Sequence, residues 1–355
     1  MTWEVMDWLR ATRHVGPVPT GRRRVKSLLL ASALFLGLGA AAPAAPKRAP
    51  APPAATTRLD HILLWGRSID EVTSIMAVKL GFQVRAGRDP GGVANRYIRF
   101  ADTSFVELLG VTRANPDYDP GMKDDRIALH DGPGARSFGF RASSLGTLQA
   151  SLKALGYPVT QLFSGPDSKK PGWQLFAFDQ APLSSNSFFI DYNPGYAPDQ
   201  ADPSNAADYR VTREHPNSVR ALSAIWLVSG DPEADRKQIA RMGYGGAVPV
   251  RLPAIGAKGY CVPLGPTALL TLQPDGPGAA ADTMANGGPR VLGISLAAAD
   301  LGRAQRWAER GYERKLARYR GLSGDSFLAP TRDDLGLLIE FHGLTGKGGN
   351  PCKGG

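Results

Sequence analysis

The chain has 355 residues, 43% of them hydrophobic and 21% charged, with 42 glycines and 29 prolines. This composition excludes a wholly disordered chain and a polytopic membrane protein, and the length suggests about two domains. Two cysteines, Cys261 and Cys352, exclude a disulfide scaffold and a cysteine-rich zinc or iron–sulfur centre. The formal net charge is +10; residues 1–44 supply six basic and two acidic groups, leaving 36 against 30, or +6, in residues 45–355. The Lys and Arg residues of that longer part look scattered, with no aromatic-interleaved basic stretch and no nucleic-acid motif. No nucleic-acid partner is expected.

The first element in chain order is a leader. Gly21, Arg22, Arg23, Arg24 and Lys26 precede the apolar run Ser27 to Gly39, and Ala42, Pro43 and Ala44 place small residues where a signal peptidase reads. Residues 1–44 are expected to be a signal peptide with an N-terminal extension. Cleavage would leave a periplasmic or secreted chain without a stable membrane span; an uncleaved anchor is the alternative. Residues 45–57, rich in Pro and Ala, read as an extended linker. In an oxidising compartment Cys261 and Cys352 could pair, although two free thiols fit the sequence equally well.

Beyond residue 58 one pattern occurs four times. A strand-like run (from Leu59, Arg136, Ala221 and Arg290) leads to a helix-capping residue, at Asp70, Ser144, Asp231 and Asp300. A helical stretch comes next, closed eleven or twelve residues after the cap by Gly81-Phe82, Gly156-Tyr157, Gly243-Tyr244 and Gly311-Tyr312. Further strand-like runs complete each unit. The pattern predicts four βαβββ units, an α+β fold, and a glycine in the left-handed conformation after each helix. A small sheet with one helix covers only one of its faces. Two units can therefore close their free faces into a cup, and four give two cups. The expected domains are residues 58–210 and 211–345, with a flexible tail at 346–355.

This order of elements resembles the vicinal-oxygen-chelate superfamily of glyoxalases, extradiol dioxygenases and bleomycin-resistance proteins, and within it the glyoxalase-like domain family. The residues that carry the resemblance are Leu59-Asp60-His61, Leu80-Gly81-Phe82, Asn95 with Tyr97 to Phe100, Phe105 to Leu108, and His215-Pro216-Asn217. The resemblance implies a divalent metal held in a cup by the first and last strands of each unit, where it chelates adjacent oxygens of a small molecule.

Carried onto this sequence, His61 and Glu107 would be ligands from unit one, and Ser137 and Asp191 would stand at the matching places in unit two. Strand alternation puts His61 with Leu63, Glu107 with Phe105 and Leu109, and Asp191 with Phe189. If the aliphatic neighbours pack on helices, His61, Glu107 and Asp191 converge in the cup. One imidazole and two carboxylates suit Fe²⁺, Mn²⁺ or Zn²⁺. Glu107 or Asp191 would also shuttle protons, and Asn95, Tyr97, Arg99 and Ser137 would contact substrate. The activity expected is that of a metal-dependent lyase or isomerase on a small oxygen-rich molecule. A single histidine argues against ring-cleaving dioxygenase chemistry. A non-catalytic sequestering protein is the alternative, because Ser137 replaces a strong ligand. The corresponding places in units three and four hold Ala224, Thr271, Gly293 and Glu340, with His342 beside the last, and suggest a structural second cup. No oligomeric state follows from the sequence.

Overall fold

The computed structural model describes residues 57–89, 91–118, 130, 132–165, 172–192, 213–344 and 352. The leader, nearly all of the linker and the expected boundary at 210/211 lie outside these residues. Unit one comprises β1 (Arg58–Trp65), α1 (Ile69–Ser74) with a π-helical continuation (Ile75–Lys79), β2 (Arg85–Ala86), β3 (Val93–Arg99) and β4 (Phe105–Val111). Unit two has β5 (Gly134–Arg141), α2 (Leu145–Ala154), β6 (Phe163–Ser164), β7 (Trp173–Ala177) and β8 (Asn186–Tyr192). Unit three has β9 (Val219–Val228), α3 (Pro232–Arg241), β10 (Val248–Leu252), β11 (Ala257–Leu264) and β12 (Thr267–Pro274). Helix α4 (Ala279–Gly287) intervenes. Unit four has β13 (Arg290–Ala298), α5 (Leu301–Gly311), β14 (Arg318–Gly321), β15 (Gly324–Ala329), α6 (Arg332–Leu335) and β16 (Leu338–Gly343).

The strands form two eight-stranded sheets, ordered β2-β3-β4-β1-β5-β8-β7-β6 and β10-β11-β12-β9-β13-β16-β15-β14. Within units one, three and four alike, the first strand lies parallel to the last; β5 and β8 do the same in unit two. Neighbouring units meet through their first strands, antiparallel, as β1 with β5 and β9 with β13. The four predicted units and their pairing into two cups are therefore present. One face of each sheet carries helices, and a single apolar cluster runs through the helix-covered faces of both, from Ile62, Val106 and Phe138 to Ile294 and Phe341. Phe140, Phe176 and Phe189 stack within it, Phe189 lying 5.2 Å from each of the other two. Burying each such ring contributes roughly 1.5–3 kcal/mol.

The helix signals hold in part. Asp231 and Asp300 cap α3 and α5 by accepting from the amides of Ala234 and Arg303. Helix α1 is capped instead by Ser68, which accepts from Glu71, while Asp70 lies in its first turn and pairs with Arg96. Ser144 starts α2 with a left-handed backbone, φ 57°, and no side-chain cap bond. Gly81, Gly156 and Gly243 have φ of 74°, 84° and 100°, as a left-handed terminus requires. Gly311 does not; it closes α5 as a helical residue, and a Cβ there would lie 2.3 Å from the carbonyl oxygen of Lys79. This glycine serves close approach of two helices, not a turn.

The second cup is filled. Ala280 and Met284 of α4 pack with Trp226, Leu270 and Leu272. Cys261 of β11 is bonded to Cys352, which places Cys352 in the same cluster. Helix α4 was absent from the sequence pattern because its Ala-rich stretch follows no strand–helix–glycine order.

Candidate functional site in the first cup

The inner face of the first sheet is lined by Leu63, Trp65, Leu109, Phe188 and Ile190, with Tyr192 and Trp173 packed against them. His61 and Glu107 belong to this face and are buried. Strand β1 brings His61 beside Phe105 of β4, and two residues on it brings Leu63 beside Glu107. The imidazole stacks on the Phe105 ring at 4.1 Å and meets the edge of Phe188 at 5.1 Å.

Asp60 fixes that ring from behind. Its Oδ1 lies 2.7 Å from His61 Nδ1 and accepts a 2.7 Å bond from the Tyr192 hydroxyl, while Oδ2 accepts from Arg141 Nε at 2.6 Å. Burial alone would raise the Asp60 pKa; the bonds and charges of His61, Arg141 and Tyr192 outweigh it and hold the carboxyl below its usual range. A carboxylate on Nδ1 selects the tautomer that leaves Nε2 free to accept. Nε2 faces Glu107 Oε2 at 3.7 Å, too far for a direct hydrogen bond. The other carboxylate oxygen, Oε1, accepts from Asn95 Nδ2 at 3.0 Å, and the same amide donates to the Tyr97 hydroxyl at 2.8 Å. Burial, then the Glu107 charge, pushes the Tyr97 phenol up. Arg99 completes this side of the cup, its guanidinium 5.3 Å from the Tyr97 ring and 5.9 Å from Phe105.

Thus His61, Glu107, Asn95, Tyr97 and Arg99 are brought together. Asp191 is not. In β8 it is Phe188 and Ile190 that line the cup, while Phe189 packs under the helices, so Asp191 alternates to the helix side and accepts from its neighbour's amide at 2.9 Å. The expectation failed because it assumed that aliphatic side chains always choose the helix face; here the cup itself is apolar. The register also reassigns the partner positions. Ser137 pairs with Asn186, so the residue that stands to Ser137 as Glu107 stands to His61 is Phe188. Ser137 is buried and lies across from Leu63; His61 faces Gly139. By the same register Leu270, not Thr271, matches Glu107 in unit three, and Glu340 matches it in unit four.

Sequence reasoning missed Asp60 and Arg141. Strict alternation turns Asp60 away from His61, but the β1–β5 register shifts between Leu59 and His61, and this irregularity lets the two side chains meet. The adjacency of Asp60 and His61 was the available signal.

The Glu340 carboxylate of the second cup is enclosed, accepting from the hydroxyls of Ser295 at 2.6 Å and Tyr319 at 2.5 Å. His342 Nε2 lies 2.6 Å from the Ser223 hydroxyl. A separate crevice of about 470 Å³ lies away from both, lined by Arg136, Leu183, Asp231, Asp235 and Arg290 among others.

Paired βαβββ units with a polar cluster between the first and last strands define a vicinal-oxygen-chelate protein. The profile of the glyoxalase-like domain family matches residues 59–243, and the chain belongs to that family. No curated protein matches it. Among solved structures it is similar to a triple mutant of 4-hydroxymandelate synthase from Streptomyces coelicolor, at 12% identity and a TM-score of 0.57 over 84% of this chain and 96% of that one. It is also similar to a hypothetical protein from Staphylococcus aureus, at 12% identity and 0.51 over 81% and 99%. A catechol 2,3-dioxygenase gives 14% identity and 0.50 over 81% and 87%. At these identities the likeness concerns the fold.

The family implies a divalent metal, and the donors present can be compared with one. His61 Nε2 and Glu107 Oε2 are spaced as two ligands of one ion would be, and Asp60 stands where the outer partner of a ligating histidine stands. Among the described residues no third His, Cys, Asp or Glu joins them: the matching positions hold Ser137 and Phe188. The set falls short of the three protein ligands usual at a catalytic metal.

Proposed function

We propose that the first cup binds a small oxygen-bearing organic molecule and moves a proton on it, a lyase- or isomerase-type reaction with His61 as general base. The observation that carries this reading is the line Asp60, His61, Glu107: an imidazole oriented on one side and open on the other to a carboxylate 3.7 Å away. A ligand atom seated beside this pair, at about 3 Å from each, lies within proton-transfer reach of both. Arg99, Asn95 and the Tyr97 hydroxyl supply polar contacts for the ligand's oxygens, and Leu63, Leu109 and Phe188 supply the apolar wall. Glu107 receives or returns the proton, and Asp60 keeps the imidazole in the accepting tautomer.

Deuterium wash-in from D₂O at the carbon beside the carbonyl of a set of α-hydroxy ketones, read by proton NMR, tests the reading. The expected result is exchange that falls by roughly 100-fold or more in His61→Gln, the usual worth of a positioned base. Ketones that bind without exchange would favour the sequestering alternative, for which the apolar lining of the cup speaks. Ketones that do not bind at all would remove the cup assignment. Exchange that appears only with added Mn²⁺, Zn²⁺ or Fe²⁺ would restore the metal-dependent version.

Export belongs to the same proposal. The leader pattern of residues 21–44 supports it, and so does the Cys261–Cys352 bond, since such bonds persist in oxidising compartments. N-terminal sequencing of the protein recovered from its native host should begin at Ala45.

A further inference from the structure

The arginines that look scattered in sequence gather on one surface. Helix α5 buries Ala304 and Ala308 and leaves Arg303, Arg306 and Arg310 exposed. At 3.6 residues per turn these three fall within an arc of about 60°, opposite the buried alanines. Arg314 and Lys315 are exposed in the turn after the helix, and Arg318 and Arg320 are exposed on β14, an edge strand of the second sheet. Helix and strand present one continuous surface. Arg318 Nε donates to Gln305 of α5 at 2.8 Å, and the guanidiniums of Arg306 and Arg318 come within 3.2 and 3.6 Å of the point where a Gly302 Cβ would stand.

Residues 300–320 hold seven basic and three acidic side chains, so this short segment carries +4 of the chain's +10. Its acids offset the stripe only in part. Asp300 is 4.0 Å from Arg303 and 3.9 Å from Arg306, looser than a hydrogen bond. Glu309 is turned to the Leu316 amide at 3.0 Å and to Lys315 at 3.2 Å. Glu313 is exposed beside Arg314.

We infer that this face docks on the anionic headgroups of a phospholipid bilayer. The charges lie along a helix and the adjoining strand rather than around a pocket, and so match a broad surface of negative charge. Held by long arginine stems, they can each reach a phosphate while the helix lies in the plane of the headgroups. The nearby aromatic, Trp307, is packed against Gly81 and covered by Arg310 at 4.8 Å. No exposed ring interrupts the stripe to stack a nucleic-acid base. Binding of this kind is electrostatic and peripheral, and salt weakens it.

The test compares the full chain with Arg303→Gln/Arg306→Gln/Arg310→Gln by co-sedimentation with vesicles. The leader is common to both proteins, so the difference between them reports the patch. On vesicles of phosphatidylcholine with about 30% phosphatidylglycerol, the variant should bind roughly 100-fold more weakly, at about fivefold per arginine. The two should not differ on phosphatidylcholine alone, and the gap should close at high salt, about 0.5 M NaCl. A second variant, Arg314→Gln/Lys315→Gln/Arg318→Gln, should show a comparable loss and replaces the first if that one melts early. Equal binding of wild type and both variants to the anionic vesicles overturns the inference. So does tighter binding of the wild type to a single-stranded oligonucleotide than to those vesicles, which would assign the face to nucleic acid.

Discussion

His215 offers a quantitative test of how the two halves are joined. It lies in the segment that enters β9, yet its ring is wedged into unit one, 5.4 Å from Phe82 and 5.5 Å from Phe100. Nδ1 accepts from the Gln83 amide at 3.1 Å, and Nε2 donates to the Arg99 carbonyl at 2.9 Å. Both nitrogens are therefore used by the neutral imidazole, and a second proton would meet the Gln83 N–H. Burial lowers the pKa to about 4, with the bond to Arg99 resisting and the Arg220 charge assisting. An unfolded histidine titrates near 6.5, so between these values the unfolded chain binds the proton more tightly. The stabilisation is present above pH 6.5 and is lost as pH falls through about 4. Between about pH 7.5 and 4.5 the loss from this residue comes to roughly 2–3 kcal/mol. Urea denaturation of wild type and His215→Gln at the two pH values isolates it from other titrating groups. The variant should be less stable at the higher pH, by roughly 1–3 kcal/mol for two buried bonds disturbed. At the lower pH the difference should shrink by the histidine's own contribution or reverse. A gap that stays constant across this range would show that His215 is not held neutral, and would refute the packing described for it.

Two further outcomes are expected. Cys352→Ser should destabilise the protein by up to roughly 4–5 kcal/mol, the loop-closure estimate for a bond spanning a separation of 91 residues, and a reductant should have the same effect on the wild type but none on the variant; an unchanged urea midpoint in both would contradict the pairing. Asp60→Asn should cost roughly 3–5 kcal/mol, because it leaves the Arg141 and His61 partners of a buried carboxylate without their charge, and it should shift the His61 ¹⁵N resonances towards a mixture of tautomers; resonances that match wild type would remove the orienting role.

The fold was legible because it repeats. Four copies of strand, capped helix and glycine–aromatic step gave the units, and the need to cover a free sheet face gave the pairing. Where the sequence misled, a local irregularity was responsible. A register shift at Asp60 turned a residue that alternation would hide into the partner of His61. In β8 the apolar pattern is satisfied on both faces, so Phe188 and Phe189 could be assigned either way, and the wrong choice carried Asp191 into the cup. Gly311 looked like its three counterparts yet answers to the backbone of Lys79, a contact between units that no window of sequence contains. The charged stripe was partly legible, since seven basic residues fall between 303 and 320; what the sequence did not show is that a helix and the neighbouring strand set them on one surface.

The two cups set the proposed site beside a filled counterpart on the same framework. Each keeps a glutamate at the same register position, Glu107 and Glu340, and both are buried. Glu340 is satisfied by two hydroxyls, and its cup is occupied by α4 and Cys352. Nothing about it requires a further partner. Glu107 faces an imidazole across a gap that neither side chain closes, and the groups around it are oriented by bonds made behind them. A buried pair held apart in this way costs folding energy, since a direct hydrogen bond or an apolar replacement would be more stable. The cups differ in what surrounds the shared glutamate: Glu107 stands 3.7 Å from an imidazole on an apolar wall, whereas Glu340 is held by two hydroxyls beneath α4.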